Sequence, residues 1–368
     1  MNRLDPVPAR RPTASPDGGG ANLTLTAPAI EAEAERLFRA LLHVDCEPGV
    51  KWDYEACRRT APLTLEINRR KQELAAVILA HSYVAPEIIY GVADFTGDSY
   101  FLSVQAKQSQ AKVIVFAGVR FMAETAKILS PQARVVVPDY ASGCSLADSL
   151  TGADLRRLKA LYPDAAVVCY INSTAEVKAE SDVCVTSGNV HDIIARLPER
   201  RILFVPDQLM AENIRDELRR RGVNKEIVSS DGTCLVHDAF TPAQVAAARA
   251  QFPGLEVVVH PECPPEVAAV ADFVGSTGAM MRHVKMTAAP HYLLLTECGL
   301  VDRLRVEAPA KHLVGGCRLC PYMKLNCLEK IRDALVAPRP DQIITLDEDL
   351  RRRAARSIER MFELAPGD

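Results

Sequence analysis

The sequence predicts an α/β protein built from three three-layer αβα domains, related by a pseudo-threefold axis, with short parallel sheets around a central active-site cavity. Three observations carry this prediction. A strand–helix pattern occurs three times. A second strand–helix half follows each copy. A cysteine in a turn closes each unit.

The first halves read "VILAHSYVAPEIIYGVADFTGDS" from residue 77, "AVVCYINSTAEVKAESDVCVTSGN" from 166 and "EVVVHPECPPEVAAVADFVGST" from 256. Each opens on a short apolar strand that ends in a polar pair: His81-x-Tyr83, Tyr170-x-Asn172 or His260-x-Glu262. An amphipathic helix follows, starting near Pro86-Glu87, Glu176 or Glu266. It leads to Ala93-Asp94, Ser181-Asp182 or Ala271-Asp272, and then to Ser99, Ser187 or Ser276-Thr277. The second halves are "AKVIVFAGVRFMAET" from 111, "RRILFVPDQLMAEN" from 200 and "APHYLLLTECGLVDR" from 289. Continuous apolar strands alternating with amphipathic helices imply parallel sheets covered by helices. Ligands of such sheets bind outside the carboxyl ends of the strands, where these polar residues fall.

The turn cysteines are Cys144 in "ASGCSLADS", Cys234 in "DGTCLVHDAF", and Cys317 and Cys320 in "GGCRLCPYM". They recur about one unit apart, at roughly 85–90 residues. A structural zinc site would show two CxxC pairs, and here there is one. Thiolates converging from three domains suit a soft metal or an iron–sulfur cluster with one iron left open. The competing reading is three buried cysteines without a metal. Cys169, Cys184 and Cys298 read as core, and Cys46, Cys57 and Cys327 as bystanders. Cys263 adjoins Glu262. Cys317 is either a ligand in place of Cys320 or its disulfide partner.

Bulk composition narrows the function classes. The 368 residues are 48% hydrophobic and 25% charged, with a net charge of −3. That gives no basic field for nucleic acid or an anionic membrane, and no apolar run reaches the ~18 residues of a membrane span. Eleven cysteines without a secretory signal argue for reduced thiols and a cytoplasmic setting. The expected organisation is a flexible tail at 1–30 and α/β domains at 31–145, 146–234 and 235–320. A C-terminal helical segment follows at 321–368, its helix 340–365 packing on the first domain and capped by a Thr345/Glu348 box. Leu350, Ala354, Ile358 and Met361 form its apolar stripe. Glu124 and Lys127 read as a solvated i, i+3 pair, or, from their place near a strand end, as lining residues.

The segments "AHSYVAPE", "VADFTGDS", "GVRFMAETAKILSP", "GCSLADS", "VPDQLMAEN", "CLVHD", "VHPECP", "GSTGAM" and "CPYMKLN" resemble the quinolinate synthase family, from about residue 65 to the C-terminal helix. The resemblance implies three α/β domains around a tunnel, with a [4Fe–4S] cluster on Cys144, Cys234 and Cys320. It implies a transferase that condenses iminoaspartate with dihydroxyacetone phosphate to quinolinate, losing phosphate and two waters, in de novo NAD biosynthesis. Glu262 would be the general base, with Tyr83 and Tyr170 as proton donors or orienters and His260 beside them. Substrate anions would meet His81, Ser99, Asn172, Ser187, His237, His260, Glu262, Ser276, Thr277 and Thr296. The helix-start residues among these offer N–H groups and hydroxyls to anions. Arg120 departs from the His of many members. The expected assembly is a monomer or homodimer, linked functionally to L-aspartate oxidase without a stable complex. The rival readings are another Fe–S hydro-lyase and a non-enzymatic Fe–S or zinc redox sensor.

Overall fold

A computed structural model describes residues 25–45 and 50–365. The tail read over 1–30 lies largely outside these residues. Its end is helical, because a helix Ala27–Leu41 starts at Thr26, whose hydroxyl caps Ala29 N–H. Cys46 also lies outside the described residues.

The twelve strands among the described residues form three four-stranded parallel sheets with one topology. The first sheet holds β1 (Ala76–His81), β2 (Phe95–Gly97), β3 (Val113–Ala117) and β4 (Arg134–Val136), in the order β2-β1-β3-β4. The second holds β5 (Ala166–Tyr170), β6 (Val183–Val185), β7 (Arg201–Val205) and β8 (Glu226–Ser229), in the order β6-β5-β7-β8. The third holds β9 (Leu255–Val259), β10 (Phe273–Val274), β11 (His291–Leu295) and β12 (Leu313–Val314), in the order β10-β9-β11-β12. The α/β class and the three repeated parallel sheets are therefore as the sequence predicts.

The repeated aspartates have a structural purpose. Asp94, Asp182 and Asp272 each accept an N–H from the first strand of their unit: Ile78 at 2.8 Å, Val167 at 2.7 Å and Val257 at 2.8 Å. Each returns its own N–H to the carbonyl of the same strand residue, at 2.9 Å. The carboxylate thus satisfies a donor that the short second strand leaves open. Lys71 neutralises Asp94 and Arg249 neutralises Asp272. That part of the echo fixes strand register and has no role at the site.

The apolar core joins the first and third sheets: Ile78, Val115 and Phe116 share one cluster with Val258, Tyr292 and Leu294. The second sheet has its own core around Val168, Phe204 and Ile214. The C-terminal segment bridges the first and second units. Ile344 N–H bonds to Val135 O at 2.9 Å and extends the edge of the first sheet. The helix Glu348–Leu364 then crosses over, and its Ala354, Ile358 and Met361 join the core of the second sheet. Its apolar stripe is the predicted one and enters the core of the second unit, while Arg351 donates to Ile128 O at 3.2 Å and Phe362 packs on Tyr100, both in the first unit. Its cap differs, since Asp347 takes the Leu350 N–H in place of a Thr345/Glu348 box.

Candidate active site

The carboxyl ends of all three sheets open on one cavity. Its wall includes His81 and Tyr83 at and just past the end of β1, Tyr170 and Asn172 at and just past the end of β5, and His260 and Glu262 just past the end of β9. Ser99, Ser187, Thr277 and His237 also line it, as do Cys144, Cys234 and Cys320. Of the predicted site residues, Ser276 and Thr296 stand behind the wall. Ser276 is the N-cap of helix Thr277–Met286, accepting Ala279 N–H. Thr296 is fully buried and bridges two wall residues.

Glu262 is the hub. One carboxylate oxygen accepts the Tyr170 hydroxyl at 2.6 Å and the Asn172 amide at 3.2 Å. The other lies 2.9 Å from His237 Nδ1. Burial alone pushes this carboxyl up. The facing His237 and His260 rings and the bonds from His237 and Tyr170 outweigh it, so the pKa ends well below the ordinary carboxylate range. Burial and then the Glu262 charge drive the Tyr170 phenol the other way, so it stays protonated and donates. Residues of two equivalent strand ends therefore carry opposite proton states side by side.

The histidines differ among themselves. His81 is pushed down to about 3 by burial, with Arg303 and His260 adding repulsion. His260 is likewise pushed down to about 3, by burial and then by His237, on which its ring stacks at 4.5 Å. Both rings are neutral near neutral pH, able to accept as well as donate. From His237 a chain of hydroxyls runs through the wall of the cavity by way of the buried Thr296. His237 Nε2 meets Thr296 Oγ1 at 3.1 Å, Thr296 meets Tyr83 Oη at 2.8 Å, and Tyr83 meets Thr277 Oγ1 at 3.0 Å.

The three turn cysteines converge. The Cys144 thiol is pushed up to about 12 by burial, then by Glu262 and Cys320. Cys234 is raised by burial, Glu262 and Cys144. Cys144 thus feels Cys320, and Cys234 feels Cys144, although they are about one repeat apart in sequence. Three thiols, each partly open to one pocket and each on a different sheet edge, fit a cluster held by three thiolates with one iron free. Cys317 takes neither of its predicted roles, because it is disulfide-bonded to Cys298. Cys298 was read as a plain core cysteine. Cys298 opens the helix Cys298–Glu307 just after β11, and its N–H bonds to Arg318 O at 3.0 Å beside Cys317.

Four supporting residues were missed or undervalued in the sequence. Glu297, fully buried, accepts Cys320 N–H at 3.0 Å and Gly299 N–H at 2.6 Å, with Lys324 Nζ at 3.2 Å. Lys324 also donates to Tyr83 O at 2.9 Å. Lys178, fully buried, donates to the carbonyls of Ile171 and Ser173 and so clamps the turn that presents Asn172. Glu124 is no solvated partner of Lys127: it accepts Ala175 N–H across the domain boundary at 2.8 Å, and burial raises its pKa. Lys127 instead donates to Pro131 O and Ala133 O. The one available signal was their position one or two turns beyond a strand end.

Comparison with known proteins agrees with this arrangement. The family model for quinolinate synthetase A protein matches residues 65–363. The chain is 41% identical over 343 residues to a quinolinate synthase of Caulobacter vibrioides, covering 92% of this chain and 90% of that protein. It is 45% identical over 315 residues to quinolinate synthase 2 of Mesorhizobium japonicum, covering 86% and 94%. It is 41% identical over 337 residues to a quinolinate synthase of Sinorhizobium medicae, covering 92% and 90%. With three repeated sheets, one shared cavity and a family match over most of its length, the chain belongs to the quinolinate synthetase A protein family.

Proposed function

We propose that this chain is a quinolinate synthase of de novo NAD biosynthesis, condensing iminoaspartate with dihydroxyacetone phosphate and releasing phosphate and two waters. The observation that carries the reading is the Tyr170–Glu262–His237 constellation within a cavity that also holds Cys144, Cys234 and Cys320. Cyclisation and dehydration require protons to be removed from carbon and delivered to departing oxygens. Glu262, held ionised, removes them. Tyr170, held protonated, delivers one or orients the group that receives it. The His237–Thr296–Tyr83–Thr277 chain offers a second donor on the opposite wall.

The substrates are small anions. Helix Ser99–Gln108 and helix Thr277–Met286 both point their N-terminal ends at the cavity through Ser99 and Thr277. Free N–H groups at helix starts favour carboxylate and phosphate. Neutral His81 and His260, Asn172 and Ser187 complete a polar lining that orients them. Burial of the wall keeps bulk water from competing for an unstable imine. When held by the three cysteines, a [4Fe–4S] cluster supplies Lewis acidity toward substrate oxygen or nitrogen.

The setting proposed is cytoplasmic, and no described helix is long and apolar enough to cross a membrane. Iminoaspartate comes from an aspartate oxidase by diffusion, without a stable complex, which a stoichiometric pull-down would contradict. The direct test is quinolinate formation by the anaerobically reconstituted chain, with iminoaspartate generated in situ and dihydroxyacetone phosphate added. Turnover that needs both substrates supports the reading. Dehydration of an unrelated hydroxy acid, with no quinolinate, would replace it with the hydro-lyase alternative.

A further inference from the structure

Within the cavity, three potential metal donors stand closer together than the three cysteines require. The Cys234 sulfur, the His237 Nδ1 and a Glu262 carboxylate oxygen all lie within 4.8 Å of one another. Nδ1 is 3.3 Å from Sγ and 2.9 Å from Oε2, so it faces the space between them. A tetrahedral zinc with bonds of about 2.0–2.3 Å needs donor–donor edges of roughly 3.3–3.7 Å. The two edges at Nδ1, 3.3 and 2.9 Å, lie at or a few tenths of an ångström below that range, and the sulfur–carboxylate edge is within 4.8 Å.

The surroundings of the triad are those of a supported metal ligand set. His237 uses its other nitrogen on the buried Thr296 hydroxyl at 3.1 Å, which fixes the ring with Nδ1 toward the triad. Tyr170 and Asn172 occupy Oε1 of Glu262, leaving Oε2 for an ion. A thiolate, a carboxylate and a neutral imidazole together balance a divalent charge in a site that is otherwise costly to charge. Cys144 and Cys320 are not among the donors.

We propose that Cys234, His237 and Glu262 form a mononuclear site for a zinc-class divalent ion, mutually exclusive with any centre that uses Cys234. Zinc binds such N/O/S sets more tightly than ferrous iron does. An ion seated there removes one of the three cysteines from cluster assembly and occupies the proposed base. The site therefore acts as a trap that holds the chain in an inactive form until the ion is withdrawn.

The test is titration of cobalt(II), a spectroscopic stand-in for zinc, into the full-length, cluster-free, chelator-stripped chain under reductant. The expected result is one ion per chain, with a thiolate charge-transfer band. That band persists in Cys144→Ser and Cys320→Ser and disappears in Cys234→Ser. Binding weakens at least ~10-fold in Glu262→Gln and His237→Asn, and about 10–100-fold in Thr296→Val, which acts only through His237. Circular dichroism establishes that each variant is folded. If Cys234→Ser is not, the Glu262 and His237 variants decide. Zinc-loaded wild type should fail to assemble iron and sulfide until a chelator removes the zinc.

Binding that also needs Cys144 and Cys320, or that survives all three triad substitutions, would overturn the proposal, as would no binding at millimolar cobalt. The cluster requires all three cysteines and the trap only one, so the failure of either is recognised without the other.

Discussion

Tyr170 at the end of β5 donates its hydroxyl to Glu262 beyond the end of β9, 2.6 Å away across a domain boundary. The pair sets a held proton beside a held negative charge. Removing the charge should remove the base: Glu262→Gln is expected to lower kcat by about 10²–10⁴-fold. Tyr170→Phe should cost about 10–100-fold, because the phenol is one of three groups on that carboxylate. Steady-state quinolinate formation measures both. Melting temperatures close to wild type would separate chemistry from folding.

Lys178 shapes the site without touching it. Its buried ammonium holds the carbonyls of Ile171 and Ser173, on either side of Asn172, and lies 5.3 Å from the Phe121 ring centroid. Lys178→Met keeps the volume and strands the Ser173 carbonyl, whereas Ile171 O keeps the Ser173 N–H at 2.8 Å. An orphaned buried acceptor costs about 1–3 kcal/mol. The expected outcome is a clear loss of chemical stability toward denaturant together with a raised KM, since Asn172 loses its fixed presentation. An unchanged denaturation midpoint would show that the turn stands without the lysine.

Acid should destabilise the fold over a defined window. His81 and His260 fall to about 3 and His191 to about 4, each from an ordinary 6.5, with burial as the main cause. The unfolded chain therefore binds more protons than the folded one below 6.5. Stability is fully present above about pH 6.5 and is lost progressively as pH falls toward these folded values. His191→Gln, away from the cavity, should flatten part of that slope between about pH 6.5 and 4. Chemical denaturation at a series of pH values reads this directly.

The C-terminal helix ties the second unit to the rest of the chain. Ile358 is fully buried in the second core, while Ile344 pairs with the edge of the first sheet. Ile358→Ala should cost about 2–5 kcal/mol. It should also expose the last residues to proteolysis before the first and third units, whose shared core it does not touch.

Most of the fold was legible because its signals are local and repeated. Continuous apolar strands such as Val113–Ala117 and recurring acidic turns such as Asp94 announce parallel units three times. The strand-end pairs of the site were legible for the same reason, since parallel strands of one topology must deliver their ends to one edge. What was not legible depends on packing between units. The helix Glu348–Leu364 has one apolar stripe that any of three sheets could have received. Cys298 gave no sign of its bond to Cys317, because the loop that brings them together is set by tertiary contacts. Nothing local marked Lys178, and Glu124 could be solvated or lining, because neighbouring units close over both.

The central claim is that Cys144, Cys234 and Cys320 serve one centre at the base of one cavity. Anaerobic iron and sulfide analysis of wild type and of the three Cys→Ser variants tests it most directly. The account predicts about four irons and four sulfides per chain in wild type, with loss in every variant. Iron that remains in Cys144→Ser and Cys320→Ser would contradict it, leaving three repeated folds whose cysteines never met.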